Sequence, residues 1–373
     1  MCFSTPSTSI VRVAHASTGS VAAPLSVVIP ARNEAAYIDA TLRSWTQQQR
    51  PDGTPLAVDD YELVVVANNC TDATVARTVD YARQHPQLQL TVLDVGLPAP
   101  RANVGNARLV GSEYVLARCT GPGGQLFYSD ADTLAGDTLV HHLQRVFARP
   151  RTAGVGARLS TGAAALGHYH AAFIRYEQAL QRHIAHREGR IASHGYFSGA
   201  GMGITRAAYR DIGGIRPLSF NEDKQLRADL ESRDHHIIYS DDCVVHTSCR
   251  QVGRVGWGMS KQLAYWSRCE MTGSPLLVPH PGHAITGSRL KRAVRRLRRG
   301  DTQAWQALAA DWWRPAVAHR YLRSVCNATF YGEAVQRVWH CPNFVQKRNR
   351  RFPELPVAEA SQLLAVPISQ WAA

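Results

Sequence analysis

Two short, almost uninterrupted apolar runs limit what this chain can fold into: Leu25-Ser26-Val27-Val28-Ile29-Pro30 and Leu63-Val64-Val65-Val66-Ala67. Each is too short for a core helix and too continuously apolar for a strand with one wet face, so both read as strands buried on both sides. Between them Ile38, Leu42 and Trp45 recur at helical spacing. Val75, Val79 and Ala82 do the same before a third strand-like run from Leu88 to Leu93. The order is β-α-β-α-β, which requires a parallel sheet with helices on its faces and puts the chain in the α/β class. With 373 residues, 45% of them hydrophobic, one large core and a smaller one are expected.

A parallel sheet binds ligands outside the carboxyl ends of its strands, where strand order reverses. The polar clusters fall at those ends: Arg32, Asn33 and Glu34 after the first run, Asn68, Asn69 and Asp72 after the second, and Asp130 and Asp132 after Phe127-Tyr128. In extended chain, residues two apart share a face, so Asp130 and Asp132 can meet one ligand. Paired carboxylates are hard oxygen donors suited to Mg²⁺ or Mn²⁺, which share their shell with water and phosphate oxygens. An isolated D-x-D reads more simply as a solvated turn, and single Asn or Asp residues at helix starts as caps. Convergence of three clusters on one rim favours a site. The first run is not followed by G-x-G-x-x-G, and no G-x-x-x-x-G-K-[ST] occurs, which argues against dinucleotide-binding and P-loop proteins. Instead Arg101-Ala102-Asn103-Val104-Gly105-Asn106-Ala107-Arg108 opens a helix, and Arg101 or Arg108 beside an acidic metal site would neutralise a diphosphate.

Taken together, Val27 to Glu34, the Asn69/Asp72 cluster, Gly105-Asn106-Ala107-Arg108 and Ser129-Asp130-Ala131-Asp132 resemble the successive motifs of family 2 glycosyltransferases of the GT-A fold, over about residues 24–250. The resemblance implies that the Pro30–Glu34 segment and Asp72 hold a nucleoside, and that Asp130 and Asp132 hold a diphosphate through Mn²⁺ or Mg²⁺. It further likens His194 to Gly203 to a loop under the donor sugar, and Asn221-Glu222-Asp223 to the family's E-D motif. In inverting members the Asp of that motif is the general base, because an acceptor hydroxyl must lose its proton as it attacks the anomeric carbon. The resemblance implies that Asp223 takes that role and that Glu222 orients the site. The candidate donor-binding set is Pro30, Ala31, Arg32, Glu34, Asn69, Asp72, Arg101, Arg108, Asp130, Gly199 and Arg250; the candidate metal set is Asp130, Asp132 and His246. The expected activity is transfer of one sugar from a UDP- or GDP-linked donor to an acceptor hydroxyl, with retention of configuration as the alternative. A nucleotidyltransferase should show a basic Gly-rich loop after its first strand, and a sugar-binding module would not need both acidic pairs. Gln262-Leu263-Ala264-Tyr265-Trp266 resembles the Q-x-x-R-W motif of processive synthases, but Tyr265 stands where Arg is needed.

Residues 163–190 read as a long helical insertion shaping the acceptor entrance, an expectation drawn from the resemblance. Residues 1–23, rich in Ser, Thr and Ala and without periodicity, read as a flexible leader. Interrupted by Arg12 and His15, they lack the apolar block of a secretory signal. Eight cysteines without a C-x-x-C pair read as reduced thiols, so a cytoplasmic location is expected.

Charge divides the chain. Residues 1–250 hold 24 Lys and Arg against 23 Asp and Glu, whereas residues 251–373 hold 18 against 6, so the last third carries +12 of the net +13. It also holds seven of the eight tryptophans, which puts a boundary near Arg250 and a helical C-terminal region over 251–373. From Arg289 to Arg299 seven of eleven residues are basic, with Leu290, Val294 and Leu297 on one helical stripe and Trp305, Trp312 and Trp313 following. Two readings fit. One is a peripheral element at an anionic membrane surface, at its inner face, presenting the site to a lipid-linked acceptor; the other is a helical cap that packs its tryptophans on the GT-A core and leaves its arginines in water. Nucleic acid fits the charge but no reader motif is present.

Overall fold

The computed structural model describes residues 10–17, 22–57, 59–119, 121–161, 167–188, 192–253 and 258–366. The chain divides into two compact units: residues 1–163, 196–230 and 235–262 form the first, and residues 164–195, 231–234 and 263–373 the second.

The first unit is an α/β layer structure. Its strands are β1 (Ile10–His15), β2 (Leu25–Ala31), β3 (Tyr61–Asn68), β4 (Leu90–Gly96), β5 (Gln125–Tyr128), β6 (Thr133–Ala135), β7 (Thr152–Thr161), β8 (Met202–Thr205) and β9 (His236–Thr247). They form one sheet in the order β1-β4-β3-β2-β5-β8-β7-β9-β6. The ladders β4-β3-β2-β5 and β7-β9 are parallel; β1-β4, β5-β8, β8-β7 and β6-β9 are antiparallel. All eight residues of β3 are buried, as its continuous apolar run requires. On one face Val27, Ile29, Leu63 and Val65 pack with Ile38, Leu42 and Trp45 of α1 (Ile38–Thr46), Val79 and Ala82 of α2 (Thr74–Gln84), and Leu139 and Leu143 of α4 (Leu139–Phe147). On the other face Val28, Val64 and Val66 pack with Ala107 and Val115 of α3 (Val104–Ala117), Tyr209 of α6 (Arg206–Asp211) and Leu226 of α7 (Glu222–Ser232).

From β2 the chain builds outward through β3 and β4, then returns to place β5 on the other side of β2. The switch point therefore lies between the ends of β2 and β5, where the Arg32–Glu34 cluster and the D-x-D leave the sheet. Helix α3 is pressed onto this place. A Cβ at Gly111 would lie 2.5 Å from Val28 Cγ1 and 2.9 Å from Val66 Cγ2, and β-branched side chains in a sheet cannot swing away.

Part of the expected leader is a strand. Residues 10–15 form β1 on the edge of β4, because alternating residues of Ile10–Ala14 can cover that edge, and Arg12 donates to Asp94 at 2.6 Å. Residues 1–9 and 18–21 lie outside the described residues. Leu134 belongs to the short strand β6, and β9 takes up an irregularity between Ser240 and Val244 in its pairing with β7.

The second unit is helical: α5 (Gly167–Glu188), most of α8 (Met259–Thr272), α9 (Gly282–Leu297), α10 (Gln303–Trp312), α11 (Pro315–Cys326), α12 (Tyr331–Trp339), α13 (Pro342–Arg351) and α14 (Val357–Ala365), with a two-stranded ribbon of β10 (Leu277–Val278) and β11 (Leu355–Pro356). The expected boundary at Arg250 falls at residue 262, and α5 groups with the C-terminal helices rather than with the sheet. The reason is apolar burial: Tyr176 and Leu180 of α5 share a core with Leu263, Trp266, Val278 and Val357. A second core holds Leu290, Val294, Trp305, Leu308, Trp312 and Phe344. Leu290, Val294, Trp305 and Trp312, which a membrane-inserting face would expose, are thus buried, and Leu297 and Trp313 partly so, which corrects that part of the expectation. Guanidinium groups lie over the rings, with Arg348 3.9 Å from the Trp339 ring centre and Arg351 5.3 Å from that of Trp312. Among the described residues no helix is long and apolar enough to cross a membrane.

Replacing Gly111 by Ala tests the close approach of α3 to the sheet. Helix propensity alone would favour Ala by about 1 kcal/mol, but overpacking a filled core costs typically about 1–3 kcal/mol. The variant should therefore be less stable in urea denaturation; equal or greater stability would mean that α3 does not sit this close.

Candidate active site

The site is built from the ends of β2, β3, β5 and β9 and the starts of α3 and α7. Two arginines organise it. Arg108, on the first turns of α3, is 2% exposed, and its guanidinium donates to Asp130 Oδ1 at 2.6 Å and to Glu222 Oε1. Residues 108, 130 and 222 come from three elements, so this double pairing fixes the D-x-D against the E-D motif. Burial disfavours the charged guanidinium, but Asp130 and Glu222 outweigh it and hold the Arg108 pKa above its ordinary value. Burial pushes the Asp130 carboxyl up to about 6; Arg108 opposes the rise while Asp132, Glu222 and Asp223 add to it.

Gly199 was expected to admit a donor sugar. Its missing side chain instead makes room for Arg108, because a Cβ there would collide with the guanidinium. Its backbone N–H donates to Asp223 Oδ2 at 3.2 Å, and Lys224 N–H donates to Oδ1 at 2.7 Å, so the Asp223 carboxylate is oriented at the N-terminus of α7. Arg108, expected to face a diphosphate, has both terminal nitrogens engaged by protein carboxylates.

Arg250, just beyond β9, makes the second centre. Its two terminal nitrogens donate to the two oxygens of Glu34, each at 2.8 Å, a fork-to-fork pair that closes the end of β2. Its Nε lies 2.9 Å from Asp132 Oδ2, yet that N–H has no acceptor at a hydrogen-bonding angle, so the contact is one of charge. The Tyr37 ring centre lies 5.3 Å from the guanidinium carbon. These charges hold the Arg250 pKa above its ordinary value against the cost of burial. Asp132 Oδ2 also accepts from the Ser248 hydroxyl.

His246 does not join the metal set. It is exposed on β9, and the antiparallel register that pairs Thr133 with Thr247 and Leu134 with His246 carries Ser248, not His246, to Asp132. Among the described residues no three His, Cys, Asp or Glu side chains form a group able to hold a metal ion. Ser248 and Tyr37 were not singled out by the sequence; the only signal for Ser248 was its spacing two residues before Arg250.

The other expected residues hold loops together. Asn33 and Asn69 adopt left-handed φ of 54° and 51°, which Asn tolerates better than most residues. The Asn33 side chain accepts from Thr71 N–H at 2.7 Å, and the Asn69 amide spans to Leu97, accepting from its N–H and donating to its carbonyl, each at 3.0 Å. Asp72 accepts from Thr74 N–H at 3.0 Å and Ala35 N–H at 3.1 Å, tying the β2 loop to the start of α2. Arg32 donates to the Ala102 carbonyl at 3.1 Å, and Arg101 is exposed in the turn before α3. Pro30 and Ala31 end β2, paired with Val66 and Ala67.

Asp72 gives a test of this loop frame. Burial raises its carboxyl pKa, but the hydrogen bonds from Thr74 and Ala35 prevail and hold it below the ordinary value. A depressed pKa stabilises the fold above the unfolded-state pKa of about 3.9, and that contribution fades as pH falls through the lower folded value. Asp72→Ala should cost about 1 kcal/mol at pH 7, the usual scale for losing a helix-start acceptor. The gap between wild type and variant in urea denaturation should shrink below about pH 4; a gap constant with pH would assign it to something other than the carboxylate.

The model of the family described as glycosyltransferase-like family 2 matches residues 23–268. No curated protein matches the chain in sequence. Among solved structures, the mannosyltransferase PcManGT from Pyrobaculum calidifontis, in complex with GDP-Man and Mn²⁺, is 17% identical over 92% of this chain and 86% of its own, with a TM-score of 0.44. S. aureus TarS 1-349, in complex with UDP-GlcNAc, is 15% identical over 84% of this chain and 91% of its own, also with a TM-score of 0.44. With the family model spanning both acidic motifs and both arginines, the chain belongs to the family 2 glycosyltransferases and is an enzyme of that class.

Proposed function

We propose that this glycosyltransferase moves one sugar from a nucleotide diphosphate sugar, UDP- or GDP-linked, to an acceptor hydroxyl with inversion, and that Asp223 is the general base. The observation that carries this reading is the gathering of Asp130, Glu222 and Asp223 around Arg108 and Gly199. Carboxylates far apart in the chain share one rim, as a reaction with a leaving diphosphate on one side and an attacking alcohol on the other demands. The acceptor oxygen would form its bond to the anomeric carbon as the bond to the diphosphate oxygen breaks, and the hydroxyl proton would pass to Asp223. Two backbone N–H groups orient that carboxylate, and Glu222, held by Arg108, lines the same rim.

The donor chemistry fits a hard divalent cation. Asp130 Oδ1 and Asp132 Oδ2 are taken by protein donors, which leaves the second oxygen of each carboxylate to Mn²⁺ or Mg²⁺. Bound there, the cation would neutralise charge on the leaving diphosphate.

For the acceptor, we propose a lipid-linked alcohol at the cytoplasmic face of an anionic membrane. With the tryptophans buried, support for this part rests on charge: Arg292, Arg295 and Arg299 of the α9 region and Arg350 and Arg351 of α13 are exposed. Flotation with liposomes should then show binding to anionic but not neutral lipid at low salt, lost at high salt; equal recovery with both lipids would end this reading.

The catalytic reading is tested by a thermal-shift screen of UDP- and GDP-sugars with Mn²⁺, followed by transfer assays. Asp223→Asn should keep the donor-induced rise in Tm while lowering transfer by at least about 10²-fold, the low end for a general base. NMR of the product should show the anomer opposite to the donor's. Full turnover by the variant, or a retained anomer, would remove Asp223 from the base role.

A further inference from the structure

We infer that Arg250 is a resident counter-cation that makes divalent-cation binding at Asp130 and Asp132 conditional on the diphosphate. This rests on the reading of those carboxylates given above and adds a linkage that the reading does not require.

Arg250 is held unequally by its two carboxylate neighbours. Two hydrogen bonds of 2.8 Å tie it to Glu34, a carboxylate only 7% exposed, and Tyr37 lies against its guanidinium. Toward Asp132 it offers only a charge at 2.9 Å, without an aimed N–H. Its anchor is therefore Glu34, and its electrostatic partner is Asp132. A cation arriving at Asp132 displaces nothing that is hydrogen-bonded, but it meets a positive charge that Glu34 keeps from leaving.

Arg108 differs. It is 2% exposed, and its two terminal nitrogens are hydrogen-bonded to Glu222 and Asp130, with only its Nε–H lacking an acceptor. Arg250 is 22% exposed, so its charge reaches the space in front of Asp132. Repulsion between like charges at this range penalises the bare ion. A diphosphate arriving with the cation reverses the sign, since its oxygens attract both metal and guanidinium, and the two bind better together than apart. By linkage the cation must then raise diphosphate affinity by the same factor that the diphosphate raises cation affinity. The function of such a device is to keep an idle metal from occupying the site and to admit it as part of the donor.

Isothermal titration calorimetry can read this without any transfer reaction. Mn²⁺ alone, UDP and GDP alone, and each nucleotide at saturating Mn²⁺ would be titrated into wild type, Arg250→Met and Arg250→Lys. The expected result is opposite in sign for the two ligands. Arg250→Met binds Mn²⁺ alone more tightly and nucleotide more weakly, and the enhancement of nucleotide binding by Mn²⁺ falls at least about fivefold, the lower end of common coupling factors. Arg250→Lys, which keeps the charge but not the fork, retains most of the enhancement. Should Arg250→Met fail to fold with Glu34 left unpaired, Glu34→Gln/Arg250→Met removes both partners and carries the same expectation. Unchanged coupling, or weaker Mn²⁺ binding in the Met variant, overturns the inference while leaving the proposed activity intact. A wild type whose UDP and GDP affinities are the same with and without Mn²⁺ overturns the inference and the cation reading together.

Discussion

The buried pairing of Arg108 with Asp130 and Glu222 is the interaction on which the active site depends. A guanidinium 2% exposed to water has lost its hydration, and only well-placed acceptors compensate for that. Here the compensation comes from two carboxylates on separate elements, so neither the strand-end loop after β5 nor the start of α7 can move without stranding a charge. Removing one partner from such a group is far more damaging than replacing all of it by apolar residues. The pairing is therefore better understood as a device for registration than as a source of net stability. Gly199 belongs to the same device, since no other residue type would leave the guanidinium its place.

Around this centre the sheet does the coarse positioning. Reversal of strand order between β2 and β5 brings the Glu34 and D-x-D segments side by side, and the antiparallel pairing of β6 with β9 brings Ser248 and Arg250 to the second aspartate. Each carboxylate of the D-x-D has its own arginine, one from a helix start and one from a strand end. Asp130 receives the fixed charge and Asp132 the accessible one, so two chemically identical side chains, two residues apart, sit in different electrostatic surroundings.

What could be read in the amino-acid order, and what could not, follows from the range of each interaction. The strands β2, β3 and β4 were legible because full burial leaves a continuous apolar signature, and α1 and α2 because one buried face leaves a period of 3.6. The acidic pairs were legible as motifs. Their arginine partners were seen only as cations near acids; that Arg108 is spent on Glu222, 114 residues away, is a tertiary fact with no local trace. The same holds for α5, whose Tyr176 and Leu180 show an apolar face but not which core receives it. Tryptophans beside arginines were ambiguous because the pattern serves equally at a membrane surface or in rings capped by cations; burial of Trp305 and Trp312 and the seating of Arg348 over Trp339 select the second use in this unit. His246 failed as a ligand because register, not spacing, decides which residue of β9 faces Asp132.

Strand β1 leaves the ribosome before its partner, yet it pairs with β4, whose residues follow by some eighty positions: Ile10 meets Gly96 and Val11 meets Val95. Until that late closure, β4 carries a free row of backbone donors and acceptors, the kind of edge on which other chains nucleate. The opposite margin is only three residues long, so it offers little template. Strand β1 is in this sense a cover for the edge that β4 would otherwise present.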